Sequence, residues 1–167
     1  MALSERYPRG TAYHEAGHAV VAWSLGLPVG AVSVSDDDAS GSTQIGLSDH
    51  LPLIEQIAVC SAGIAAAEIF GHPIHELAGF KDRERIMHLI GVHGISEEGQ
   101  GPALRKEGYN FARARLETHL SKVAMLAELL VEHGRIEASE VMLLMQTSAP
   151  DQKSGNGWRA KAASSRW

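Results

Sequence analysis

The segment between Pro52 and Gly71 constrains the fold most. It runs through Ala58, Ala62, Gly63, Ala65, Ala66 and Ala67, with Glu68 the sole charged residue from Ile57 to Phe70, and Gly71-His-Pro closes it. A helix clothed in methyl groups lets its neighbours come close, because the separation of packed helices follows the size of the side chains between them. Aromatic residues make up only 5% of the chain, so large rings cannot fill the core instead. These features predict a mainly α protein of closely packed helices.

Glycine and proline divide the rest. A first helix is expected from about Thr11 to Leu25, with Pro8 at a first helical position and an apolar stripe through Ala12, Ala16, Ala19, Val20 and Trp23. Gly26 and Pro28 end it. Val29 to Ser35 alternates Ala or Val with Ser and reads as a strand; Thr43 to Leu47 is its return strand, giving one small β-hairpin across a polar turn. Further helices are expected from Phe80 to His93 and from Ala138 to Met145. Between them one long helix is expected from Ala103 to His133, its apolar face formed by Leu116, Leu120, Val123, Leu126, Ala127 and Leu130. After Pro150 the composition shifts to Ser, Gly, Asn, Lys and Arg. Residues 149–167 are thus expected to be a disordered basic tail on a single domain, 1–148.

The net charge of −5 gives no general electrostatic case for nucleic acid. Cys60 is the sole cysteine, so no intrachain disulfide can form. The first ten residues lack an apolar run, and Ala19–Ser35, the longest uncharged stretch, is interrupted by Gly26, Pro28 and Gly30. The expectation is a soluble, cytoplasmic chain with no membrane association.

Within the first helix stands Tyr13-His14-Glu15-Ala16-Gly17-His18. Four residues apart on a helix, His14 and His18 lie one above the other on one face. Two imidazoles so held can take adjacent corners of a tetrahedral zinc. Glu15 follows the first histidine and points to a neighbouring face. From there it can take a proton from an attacking water and return it to a leaving amine. This is the chemistry encoded by the spacing HExxH. For this composition, random placement gives such a spacing about 4% of the time. Gly17 costs a helix about 1 kcal/mol relative to Ala, which is tolerated where another backbone comes close.

A catalytic zinc keeps three protein ligands and one open position. The third must come from elsewhere, and Glu68, Asp82, His72, His75, His88 and His93 are the candidates. Asp82, near the expected start of a helix, also fits an N-cap or first-turn acid. Glu68, alone in its apolar run, is a ligand, a partner to a ligating histidine, or a surface residue. Cys60 fits a small core residue.

Thr11-Ala-Tyr-His-Glu-Ala-Gly-His-Ala-Val-Val resembles the active-site helix of the FtsH-type ATP-dependent zinc metalloproteases. Ser61-Ala-Gly-Ile-Ala-Ala-Ala-Glu-Ile-Phe-Gly is similar to that family's second helix, and Gly79-Phe-Lys-Asp-Arg-Glu-Arg-Ile falls where the family carries a segment bearing its third zinc ligand. With Arg135-Ile-Glu-Ala-Ser-Glu-Val, which resembles the C-terminal helices, the likeness covers about residues 5–145. It implies a zincin-like helical metallopeptidase domain in which His14, His18 and Asp82 bind zinc and Glu15 is the general base. Two departures stand out. Ala67 replaces the first Glu of the second segment, and the spacing from Gly79 to Asp82 is one residue shorter. No Gly-x-x-x-x-Gly-Lys-Ser/Thr phosphate loop occurs in the chain. The expected function is therefore a free-standing zinc endopeptidase that hydrolyses flexible or unfolded polypeptide, as a homo-oligomer or beside a separate ATPase partner. Two other classes compete with it: a zinc-stabilised binding or regulatory module of weak activity, and a metal-free helical interaction protein.

Overall fold

The computed structural model describes residues 8–36, 40–74 and 76–147; the tail assigned to 149–167 lies outside them. In chain order the elements are α1 (Arg9–Ser24), β1 (Val29–Val34), β2 (Gly41–Ile45), α2 (Leu53–Phe70), α3 (Glu76–Val92), α4 (Gly101–Glu117), α5 (Leu120–His133), β3 (Arg135–Ile136) and α6 (Ala138–Gln146). The described chain is mainly helical, with one small antiparallel sheet of order β2-β1-β3.

Helix α1 is the centre. Helices α2 and α5 pack on it, β1 and β2 lie along another side, and α2 continues outward to α3 and α4. Every residue from Thr11 to Ala22 is buried, so the expected stripe widens to the whole circumference. Pro8 sits just before the helix, at the N-cap, rather than at its first position. Gly26 takes a left-handed turn (φ 79°) and lets the chain reverse into β1.

The small residues of α2 meet α1. A Cβ on Gly17 would stand 2.6 Å from the Ala62 carbonyl oxygen and 2.5 Å from the Ala66 methyl, so these helices touch nearly backbone to backbone. By length and apolarity α2 could cross a membrane, yet 56% of it is buried inside this fold. Its apolar surface goes into contacts with α1, α3 and α4.

Three further expectations fail. The hairpin is part of a three-stranded sheet: after the left-handed Gly134 (φ 75°), the chain pairs Ile136 with Val32 and Arg135 with Ser33. Two residues are too few for alternation to reveal a strand. The long helix is two helices. The Thr118 hydroxyl donates to the Arg115 carbonyl (2.7 Å), and His119 leaves the helical region at φ −134° before its own carbonyl starts α5. The back-bonding threonine marks this end, where neither glycine nor proline stands. Finally, α3 begins at Glu76, four residues earlier than expected. Asp82 is then neither an N-cap nor a first-turn acid. It belongs to the inward row Gly79, Asp82, Ile86 and Ile90.

Candidate metal centre

α1 presents His14 and His18, and α3 brings Asp82 to them across the gap beside α2. His14 Nε2 and His18 Nε2 are 3.1 Å apart; Asp82 Oδ2 is 3.0 Å from the first and 3.1 Å from the second. All three side chains are buried. Donor atoms about 2.0–2.1 Å from a tetrahedral zinc stand roughly 3.3 Å from one another. The triangle is only slightly tighter than that, so this group could hold a metal ion.

The surroundings set the donors' protonation. His18 Nδ1 lies 2.8 Å from the Val59 carbonyl of α2, which can only accept, so Nδ1 carries the proton and Nε2 keeps a lone pair in the neutral ring. That carbonyl is the partner a ligating histidine needs to fix its tautomer. The lone pair faces a carboxylate oxygen and a second imidazole nitrogen, so a proton or a metal ion must lie among the three atoms. In the metal-free chain a proton serves. Burial alone would lower the His18 pKa. The hydrogen bond and charge of Asp82, helped by Glu15 and the Val59 carbonyl, more than offset this and push it up to about 9. For Asp82 burial pushes the carboxyl up, but hydrogen bonds from both histidines and their charge hold it well below the usual carboxylate range.

His14 is held differently. Its ring lies over Gly63 of α2, where a Cβ would stand 2.5 Å from Cε1. Its Nδ1 is buried without a hydrogen-bond partner among the described residues. On its Nδ1 side packing holds this ring, and on its Nε2 side Asp82 and His18 do.

Glu15 is 6% exposed, and its carboxylate meets the sheet at β2. The Thr43 hydroxyl of β2 lies 2.6 Å from its Oε2, and Gly41 leaves room for the carboxylate.

The other candidate ligands lie elsewhere. Glu68 is exposed on α2 and accepts a hydrogen bond from the Tyr109 hydroxyl of α4, so it neither ligates nor supports a histidine of this group. His88 and His93 are exposed on α3 and just past its end, His93 Nδ1 donating to the Leu89 carbonyl. His72 stacks on the Tyr13 ring at 4.6 Å. His75 lies outside the described residues. Cys60 is partly buried on α2, and burial, with Asp82 nearby, pushes its thiol up to about 11, which suits an inert core residue.

The sequence gives no sign that Val59, Gly63, Gly41 and Thr43 border the site. A backbone carbonyl leaves no sequence signature, and the glycines are visible only as small residues in small-residue segments. Thr43 shares a strand face with Gly41 and Ile45 by alternation, the one signal that could have pointed to it.

No protein-family model matches the chain, and no curated protein matches it either.

Proposed function

We propose that the chain is a zinc-dependent endopeptidase of zincin-like, FtsH-type arrangement, acting on flexible or unfolded polypeptide. The observation that carries this is the buried triangle of His14, His18 and Asp82 with the carboxylate of Glu15 one residue along the same helix. Two imidazoles and one carboxylate are the donor set of a catalytic rather than a purely structural zinc site, leaving a fourth position open.

His14, His18 and Asp82 would hold the ion, which when bound supplies Lewis acidity toward a carbonyl oxygen and acidity to a water. Glu15 takes the proton of the attacking water and gives it to the departing amine nitrogen as the amide C–N bond breaks. Val59 keeps His18 in the ligating tautomer, and Gly63 keeps the ring of His14 in register. Flexible substrates suit a site deep in a helical domain, and folded ones would need a separate ATPase to deliver them.

The burial of Glu15 also favours a second reading, a zinc-stabilised binding module with little activity. One set of measurements separates the two. Wild-type protein is expected to carry about one zinc per chain and to cleave an unstructured peptide. His14→Ala should carry none, and Glu15→Gln should keep the metal while losing cleavage by about 10²- to 10⁴-fold. A Glu15→Gln variant that cleaves like wild type would refute the assigned base. A zinc-loaded wild type that cleaves nothing would leave the binding module.

A further inference from the structure

We infer that Thr43 is a positioning residue: its hydroxyl pins one oxygen of the Glu15 carboxylate and leaves the other to move the proton. This deepens the peptidase reading and rests on it.

The Thr43 hydroxyl lies 2.6 Å from Glu15 Oε2 and 3.0 Å from the Glu15 backbone carbonyl. It has a single hydrogen to give, and 2.6 Å is the length of a charge-assisted O–H···O⁻ bond, the stronger of the two contacts. Oε2 therefore receives it, and Oε1 is the oxygen left for chemistry. The same strand face borders the rest of the carboxylate. Gly41 shares a strand face with Thr43, and a Cβ there would stand 2.6 Å from both Oε1 and Cγ of Glu15. The hydroxyl thus fixes the orientation of the group, and the missing side chain at position 41 gives it room.

Strand geometry makes this rigid. β2 is held in register on β1 through the pairs Thr43–Val32, Ser42–Ser33 and Gly41–Val34. β1 is braced on its other edge by β3. A glutamate side chain has several rotatable bonds, and a single hydrogen bond from a braced strand removes most of that freedom before substrate arrives. Pre-set geometry of this kind is what a general base needs from its neighbours.

The test compares Thr43→Val, which keeps the shape and suits a strand, with Thr43→Ser, which keeps the hydroxyl. Thr43→Val is expected to bind zinc as wild type does and to lose about 10- to 100-fold in kcat, with KM unchanged. Thr43→Ser should restore most of that loss. Wild-type kcat in Thr43→Val, or no recovery in Thr43→Ser, overturns the proposal. A second readout does not depend on activity. In zinc-free protein the Thr43 hydroxyl proton should give a downfield, slowly exchanging NMR signal that moves upfield in Glu15→Gln. If zinc-loaded wild type cleaves nothing while that signal is present, the peptidase reading fails and the contact stands. If the signal is missing, the contact itself is wrong.

Discussion

Helix α5 buries one face and shows the other to solvent, whereas α1, against which it packs, is buried all the way round. On α5 the inward residues are Val123, Leu126, Ala127, Leu130 and Val131, while Met125, Glu128 and Glu132 face out. On α1 every residue from Thr11 to Ala22 is buried. A half-buried helix can put polar groups on its outer face at no cost. A wholly buried one must find a partner for each, since an unpaired buried polar group costs several kcal/mol. Most polar groups of α1 are met by other elements: His18 by the Val59 carbonyl and Asp82, Glu15 by Thr43, and Tyr13 by Glu128 at 2.9 Å; the exception is His14 Nδ1, while its Nε2 meets Asp82. The group that could hold a metal ion draws two of its three donors from α1, and none from α5. Damage to α5 should cost stability alone, and damage around α1 should cost the metal centre as well.

The largest effect expected of a single substitution is on the support side. Leu126 is fully buried against the α1 core. Leu126→Ala should lower unfolding free energy by about 2–5 kcal/mol. Below its melting temperature the variant should still bind one zinc per chain. If calorimetry showed the stability loss together with a lost metal site in the folded protein, α5 would be shaping the centre and the contrast would break.

On the α1 side a smaller chemical change should do more to function. Gly17→Ala adds one methyl where the Ala62 carbonyl oxygen stands 2.6 Å away, so the two helices must part. Overpacking of this kind costs about 1–3 kcal/mol. Because α2 also carries Val59 and Gly63, the separation should weaken zinc binding beyond what the stability loss alone would cause. Unchanged zinc affinity in Gly17→Ala would show that the metal site tolerates movement of α2.

Much of this was legible in the chain. The helix bearing His14 and His18, the small-residue helix and the first two strands stand near where punctuation and periodicity place them. Asp82 was harder. Its inward row with Gly79, Ile86 and Ile90 has helical spacing, but the row reads as helix interior only if α3 begins at Glu76 rather than Phe80. The break at Thr118 and the two-residue β3 depend on one side-chain hydrogen bond and one left-handed glycine, and neither leaves a periodic trace. Partners supplied by tertiary contact, such as the Val59 carbonyl, are invisible to any one-dimensional pattern.

Protons offer a gentler test of the same contrast. His18 in the metal-free chain has its pKa raised from 6.5 to about 9. A raised value stabilises the fold fully below the unfolded pKa, and the benefit fades as pH rises through the folded one. Metal-free protein should therefore lose stability between pH 6.5 and about 9, while zinc-loaded protein should not lose this contribution. Zinc uptake at pH 7 should also release the His18 proton, read as a binding heat that changes with the ionisation enthalpy of the buffer. No proton release at pH 7 would mean that a neutral His18 already faces Asp82, contrary to the charge balance argued for α1.

The smallest effect is expected at Glu68, one of the six candidate third ligands. Glu68 stands alone in an apolar run, and a lone carboxylate there is a ligand, a partner to one, or a surface group. It is exposed and meets the Tyr109 hydroxyl on the side of α2 that faces α4. Exposed polar contacts contribute little, so Glu68→Gln should shift stability by less than about 1 kcal/mol. Zinc affinity should be unmoved, because no atom of Glu68 belongs to the donor group. Tyr109→Phe should match it, since each variant removes one half of the same contact. A tenfold loss of zinc affinity in Glu68→Gln alone would mean that α2 passes charge from its exposed face to His14 and His18, and the division between a supporting surface and a buried functional helix would have to be redrawn.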